Sequence, residues 1–471
     1  MTIIRLPNVN RLDPNRIEIK NKNGRHAILF ANDDVYIDSA SINEVTSFLD
    51  MLDYIETTKG KMPYDTDPSV DGVILTPDFH RGAGIPVGTV FQSNGFLLPK
   101  ATGTDIGCGM RLLTTNLVER EITQAKNLEA SLREHFFEGK RGIALSRNER
   151  VEIFRSGLKA LRAHRDAYYD GVMPTNSVIS DFLSSSAKDD NEKTFDAILG
   201  TIGGGNHFVE LQVVDEIVDD SQAWALGLKK GSVVIMCHSG SLGVGHYIGN
   251  RHQDKAKAIW NTKMKAPPDN YYPLMGQYAR DYYEDMKAGV NFAFANRYFL
   301  GQTAVKALSH SLNKDVEWEV VQDAPHNAIW SKGEDKWLHR KGATPTDGEY
   351  LEKYHPVIVP GSMGDSSWVL SGTGETHSYC SACHGAGRIA RRGESRKANI
   401  EEINKLRVVT PWDHNSPSAK ARPDILKIHQ EKLMEEAPSA YKSVEPAMYT
   451  CRDANIATPV ARLRPLLTVK G

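Results

Sequence analysis

The chain lacks any uninterrupted apolar run near the ~20 residues that a helix needs to cross a bilayer, which excludes a helical membrane protein. Its first residues, M-T-I-I-R-L-P-N-V-N-R, lack the apolar stretch and small-residue cleavage site of a signal peptide, so a cytoplasmic location is expected. Cysteine is scarce and odd in number. Five in 471 residues (Cys108, Cys237, Cys380, Cys383 and Cys451) suit reduced thiols better than a disulfide framework. Net charge is nearly absent. Lys and Arg number 57 against 59 Asp and Glu, a balance of −2, so no global field drives the molecule onto polyanions and any phosphate-binding surface has to be local. Internal repeats, low-complexity tracts and a proline- or serine-rich linker are missing too, which leaves no marked domain boundary.

What is present is ordinary globular composition, 40% hydrophobic and 25% charged. Residues 120–195 are rich in helix formers and charge and read as an amphipathic helical insertion between two glycine-rich blocks. The longest helical pattern spans 272–312, where Phe294, Tyr298, Val305 and Leu308 recur at the steps of one buried face. Residues 393–440 read as helices broken by Pro411, Pro417 and Pro423. By contrast V-D-G-V-I-L-T-P, G-S-V-V-I-M-C-H, V-E-W-E-V-V-Q-D and H-P-V-I-V-P-G are short β-branched runs that end in Gly, Pro, His or Asp, as strands do that deliver side chains into loops. Strand and helix do not alternate regularly enough for a barrel or a doubly wound sheet. The expected fold is α+β: one large catalytic domain over 1–471, with central β-sheets flanked by helices and the insertion at 120–195.

Sixteen histidines are spread along the chain, and company separates a few of them. In T-G-T-D-I-G-C-G-M-R, glycines allow a tight turn that brings Asp105 and Cys108 toward one point. His207 follows G-T-I-G-G-G-N, His238 ends an apolar strand and opens S-G-S-L-G-V-G, and His326 closes V-V-Q-D-A-P. Together these five make a metal-ligand set, and one shared thiolate would let them hold two ions. Softness favours zinc for Cys and His, while the carboxylate and open positions also permit manganese or iron.

A second constellation is S-Y-C-S-A-C-H-G-A-G-R. Cys380-x-x-Cys383 could be half of a zinc or redox site, but no second C-x-x-C completes it. The alternative centres on His384, an imidazole between small residues with Arg388, Arg391 and Arg392 downstream, suited to attack a phosphorus atom. P-G-S-M-G-D-S-S-W could offer backbone N–H groups and the hydroxyls of Ser362, Ser366 and Ser367 to a nucleotide, although no Walker G-K-[ST] follows. Arg340, Lys341 and Arg297 add positive charge.

Taken in order, D-F-H-R-G-A-G-I-P-V-G (78–88), D-I-G-C-G-M-R-L (105–112), G-G-G-N-H-F-V-E (203–210), C-H-S-G-S (237–241), N-F-A-F-A-N-R (291–297), A-P-H-N (324–327), H-R-K-G-A-T (339–344), P-G-S-M-G (360–364), H-G-A-G-R (384–388) and the terminal V-A-R-L-R-P-L-L-T-V-K-G resemble the RtcB family of RNA-splicing ligases. The resemblance implies an enzyme of RNA repair or tRNA splicing. Such an enzyme uses GTP and two Mn2+ ions to join a 2′,3′-cyclic-phosphate or 3′-phosphate RNA end to a 5′-hydroxyl end, through a guanylylated histidine and an RNA(3′)pp(5′)G intermediate. By the same resemblance Asp105, Cys108, His207, His238 and His326 match metal ligands, with Cys108 as the bridge. His384 matches the nucleophile and Asp78 the carboxylate beside it. Asn206 matches a phosphate contact; Glu210, Ser362, Ser367, Tyr441 and Lys470 match positions that bind guanine and its ribose, with Arg388 among the nucleotide-binding residues. RNA ends are the implied partners, and an archease-like activator is compatible with the family.

One position departs. Where the family commonly reads an arginine after C-H-S-G-S, this chain has Leu242, which removes a charge suited to an RNA phosphate. That departure motivates one alternative, an RNA-end-binding paralogue with lost or restricted joining, and a further alternative is a metal-dependent cyclic phosphoesterase. His384, Lys470 and the five ligands argue against both, since a binder needs no nucleophile and a phosphoesterase needs no guanine pocket.

Overall fold

A computed structural model describes residues 7–60, 67–82, 84–160, 173–183, 190–263, 265–347, 355–389, 400–413 and 416–471. Arg391, Arg392 and parts of the 120–195 segment (161–172 and 184–189) lie outside the described residues. No helix among those described is long and apolar enough to cross a membrane.

The α+β expectation holds, and two largely antiparallel sheets carry the architecture. The first has seven strands, in the order Val9–Asp13, Arg16–Lys20, His26–Phe30, Ser69–His80, Val87–Asn94, Lys336–Lys341 and Asn327–Gly333. The second has eight. Its main path runs Trp318–Pro325, Gly109–Val118, Ser232–Ser239, Phe208–Ile217, Ala457–Val469, Ser367–Gly372 and His355–Val359, with Val408–Val409 added beside Ala457–Val469.

The apolar strand runs are covered on both faces. Along Ser232–Ser239, Val233, Ile235 and Cys237 pack into one core with Leu300, Ala304 and Leu308, while Val234 and Met236 pack into another with Leu228, Ile358 and Leu463. Alternating side chains of one strand therefore serve two cores, the reason the run reads as continuously hydrophobic. Helix Gly276–Leu312 has 37 residues and spans about 55 Å at ~1.5 Å per residue. Phe294, Tyr298, Val305 and Leu308 are all buried on it, as the periodicity requires.

Within 120–195 the longest described helices are Leu128–Phe137 and Arg147–Ser156, and a two-stranded ribbon pairs Ala144–Leu145 with Thr194–Phe195. Both helices lean on the long one, through Ser131 Oγ donating to Ala307 O at 2.8 Å and Asn291 Nδ2 donating to Phe154 O at 2.9 Å. The proline reading of 393–440 needs correction. Pro417 and Pro423 open the helices Pro417–Lys420 and Pro423–Met434 rather than break them, because the first helical turn has no use for the N–H that proline lacks.

One buried ion cluster ties helix to sheet. Asp323 accepts from Arg297 Nε at 2.7 Å and from Arg111 Nη1 at 3.0 Å, and all three side chains are at most 1% exposed. Arg297 Nη1 also donates to Gly107 O at 2.6 Å and Ser239 O at 2.9 Å. Arg297 is thus a structural clamp, and the expectation that it supplies charge to a phosphate site is not met. Asp323→Ala leaves two buried guanidinium groups without their shared counter-charge, and we expect a loss of ~3–5 kcal/mol in unfolding free energy, read from urea melts against wild type.

Candidate active site

Strand register assembles one cluster. In the second sheet Met110 pairs with His238 and with Ala324, and Phe208 also pairs with His238, so four neighbouring strands end in step. Cys108, His207 and His326 flank those ends and His238 lies on one, so adjacent strands ~4.8 Å apart deliver four candidate ligands, one cysteine and three histidines, to one rim. Cys108 Sγ lies 3.2 Å from His238 Nε2 and 3.4 Å from His207 Nε2, and Asp105 Oδ2 lies 2.9 Å from His207 Nε2. The His238 and His326 rings meet edge to face at 5.2 Å. The loop bearing Asp105 can approach only because residue 240 is glycine; a Cβ there would stand 2.2 Å from Asp105 Oδ1.

His384 follows the short strand Ser381–Cys383 and stands 4.7 Å from the His326 ring, centroid to centroid. Asp78, on Ser69–His80 of the first sheet, reaches it from behind. Its Oδ2 lies 2.6 Å from His384 Nδ1 and accepts from the backbone N–H of His384 at 3.0 Å and of Gly385 at 3.2 Å, while Thr76 Oγ1 donates to Oδ1 at 2.6 Å. Nδ1 is thereby committed to Asp78, and Nε2 is the nitrogen left for the cavity.

Burial alone would raise the Asp78 carboxyl, but the charge and hydrogen bonds of His384 and the Thr76 hydroxyl hold it below its usual value. Asp105 is likewise raised by burial and brought down, to about 2, by His207 and by hydrogen bonds from His207 and Cys108. Burial pushes the Cys108 thiol well up and Asp105 adds to this, and burial together with neighbouring imidazoles keeps His238 and His326 neutral. Neutral imidazoles, a carboxylate and a thiol whose proton only a nearby cation would displace fit divalent-metal ligation. His326 Nδ1, buried with no hydrogen-bond partner among the described residues, fits it as well.

A cavity of about 540 Å³ opens on this cluster. Asp105, Cys108, Asn206, Glu210, His238, His326, Ser362, His384, Arg388, Tyr441 and Lys470 line it. His207, Asp78 and Ser367 stand behind the wall. Ser367 Oγ accepts from Gln212 Nε2 at 2.9 Å, and that amide also donates to Glu210 Oε2 at 2.5 Å, so Ser367 reaches the cavity through Gln212 and Glu210. Lys470 Nζ donates to Gly205 O at 2.5 Å and His207 O at 2.9 Å. Arg388 Nη1 donates to Tyr441 OH at 2.8 Å, and Tyr441 OH bonds Glu436.

Other candidates fall elsewhere. Arg340 is buried and spent on Ser381 Oγ at 2.8 Å and the Cys380 carbonyl at 3.1 Å, and Ser366 does not line the cavity. The C-x-x-C half-site is not formed, because Cys383 Sγ faces Cys451 Sγ at 3.6 Å while Cys380 Sγ turns to Gly374 O. Leu242 has a φ of +53°. Residues that sequence reasoning passed over include Lys100, Glu436 and Thr468 in the cavity wall, and His80. The His80 ring lies near parallel to His384 at 6.2 Å, its Nδ1 bonds Asp78 O at 2.9 Å, and burial pushes its pKa down to about 3. It stands in the same D-F-H block as Asp78, the one signal that could have found it.

Comparison with known sequences decides the family. The profile described as "tRNA-splicing ligase RtcB" matches residues 65–471. This chain belongs to the RtcB family. A tRNA-splicing ligase RtcB of Pyrobaculum aerophilum is 32% identical over 441 residues, covering 84% of this chain and 87% of the relative. That of Thermococcus kodakarensis is 32% identical over 450 residues with the same coverage. An RNA-splicing ligase RtcB homolog 1 of Entamoeba dispar is 32% identical over 489 residues, covering 94% of this chain and 87% of its own. The RtcB match begins after the strands at Val9–Asp13, Arg16–Lys20 and His26–Phe30, which extend the sheet that carries Asp78.

Glu210 gives this site a pH signature. Burial raises its carboxyl from 4.5 to about 7, against hydrogen bonds from Thr468 and Gln212 and the charge of Lys470. The fold then binds this proton more tightly than the unfolded chain does. The associated stability is full below the ordinary value and is lost as pH rises toward about 7. Glu210→Gln should flatten this loss, which melting temperatures of both proteins at about pH 5 and about pH 8 would reveal.

Proposed function

We propose that this chain is a GTP- and Mn2+-dependent RNA ligase joining 2′,3′-cyclic-phosphate or 3′-phosphate ends to 5′-hydroxyl ends in tRNA splicing or RNA repair. The proposal takes 1–471 as one cytoplasmic ligase domain with 120–195 as its insertion. The observation that carries it is the meeting of His384 with two groups at once, the anionic Asp78 at Nδ1 and the cysteine–histidine rim 4.7 Å away at His326.

Asp105, Cys108, His207, His238 and His326 would hold manganese, which when bound supplies positive charge to phosphate oxygens. Asp78 keeps the His384 proton on Nδ1, so that Nε2 presents its lone pair to the α-phosphorus of GTP. The N–P bond forms as the bond to pyrophosphate breaks, and the cationic ring that results is held by Asp78. His384 then yields GMP to the RNA 3′-phosphate, and the 5′-hydroxyl displaces GMP from the activated end. Glu210, with Thr468 and Gln212 fixing its oxygens, faces the guanine edge; Lys470, tied to the Gly205 and His207 carbonyls, links that pocket to the metal rim. Asn206 and Ser362 line the path between. Lys341, whose amine burial brings down to about 8, and Lys100 supply cationic wall for an RNA end.

Leu242 favours one second reading, an RNA-end binder with restricted joining, for which an archease-like activator would be a partner to test. Incubation with Mn2+ and α-labelled GTP separates the two. Wild type should carry acid-labile label and seal a 3′-phosphate end to a 5′-hydroxyl end; label without sealing favours the binder. His384→Ala should carry no label, and label that persists there refutes the nucleophile. Cys108→Ala should lose both steps, and Lys470→Ala should mainly raise the GTP concentration required. Asp78→Asn should slow labelling by ~10²–10⁴-fold, measured in single-turnover time courses.

A further inference from the structure

Away from the cavity, a second group of metal-ligand side chains gathers among the described residues. Glu134, His135 and His310 each offer one ligand atom, and these atoms lie within 4.8 Å of one another. Glu134 and His135 stand in the last turn of helix Leu128–Phe137, and His310 in the last turn of Gly276–Leu312. Two helix C-termini therefore bring the partial negative charge of their free carbonyls to one place, which favours a cation.

A single residue orients both imidazoles. His135 Nδ1 lies 2.8 Å from the Ser131 carbonyl, which can only accept, so Nδ1 carries the proton. His310 Nδ1 lies 3.4 Å from Ser131 Oγ, whose own hydrogen goes to Ala307 O at 2.8 Å, so this ring too turns an N–H toward Ser131. Nε2 of each ring keeps its lone pair. Supporting N–H contacts of this kind are what fix the tautomer of metal-binding histidines. Glu134 pairs with Lys140 at 2.5 Å through Oε2, which leaves Oε1 for a further partner. His135 is nearly buried and His310 exposed, so an ion could enter from solvent.

We propose that Glu134, His135 and His310 form a second metal site, distinct from the Cys108 rim, for a borderline divalent cation of the zinc class. Two imidazoles and a carboxylate with an open fourth position are the donor set such an ion takes. The ion would bind the end of Leu128–Phe137 to the end of the long helix and so fasten this part of the 120–195 segment to the core.

The test uses the full chain, stripped with a chelator and titrated with Co2+ and then Zn2+. Cobalt at the Cys108 rim carries a thiolate-to-metal charge-transfer band, whereas cobalt at this site carries only ligand-field bands. In wild type one equivalent should bind without the thiolate band, and the affinity for that equivalent should fall by at least ~10-fold in His310→Ala. Glu134→Gln should weaken the same equivalent, and Zn2+ should raise the melting temperature of wild type more than that of His310→Ala. Labelling by GTP should be unchanged in His310→Ala, whose side chain lies outside the cavity. Equal stoichiometry and affinity in wild type and both variants would overturn the proposal, as would an extra equivalent that carries the thiolate band and vanishes in Cys108→Ala.

Discussion

The constraint on which the rest depends is the buried cluster of Arg297, Asp323 and Arg111. Gly107 precedes Cys108, Ser239 follows His238, and Asp323 lies three residues before His326; Arg297 grips all three by their carbonyl or carboxylate oxygens. Such a cluster adds little net stability, because desolvating the charges offsets most of their attraction. Its contribution is register. A guanidinium has a rigid fork of donors, so the strand ends it joins cannot slide past one another without leaving buried charge unpaired.

With that rim fixed, a second anchor fixes His384. Asp78 accepts two backbone N–H groups and lies against the imidazole of the same short segment, 383–385, so the carboxylate that sets the His384 tautomer also sets the path of its backbone. Gly342 and Gly387 permit the closeness. A Cβ at Gly342 would stand 3.0 Å from His384 Cε1, and one at Gly387 would stand 2.4 Å from Asp78 O, at φ values of +66° and +75°.

The α+β class, the long helix and the strand runs were legible because each rests on local periodicity. The five-residue rim was legible for a related reason: each member sits within two residues of a glycine or proline, near a strand end. Arg297 and Arg340 misled, because a cation in a motif-rich segment reads alike whether it faces a phosphate or a carbonyl; only the tertiary partners, Asp323 and Ser381, separate the two. Ser367 stands one residue back from the cavity wall, its hydroxyl joined to Glu210 through Gln212, a placement that sequence spacing does not encode. His80 is marked in the sequence only by its place two residues after Asp78, and its ring beside His384 is a tertiary contact that spacing along the chain does not encode.

Neither sheet can form the candidate site alone. The second sheet brings Cys108, His207, His238 and His326 together at the ends of neighbouring strands, where antiparallel pairing brings distant residues into step, and a further imidazole delivered by the same rim would join that cluster. The first sheet prevents this by holding His384 from the opposite side. Asp78 draws Nδ1 away, and the ring meets the His326 face at an angle of 61° instead of joining the cluster. The separation of 4.7 Å between the His326 and His384 rings is thus a product of the seam between two sheets. It keeps one imidazole against the cysteine–histidine cluster yet outside it, with His384 on the wall of the cavity that the cluster also lines.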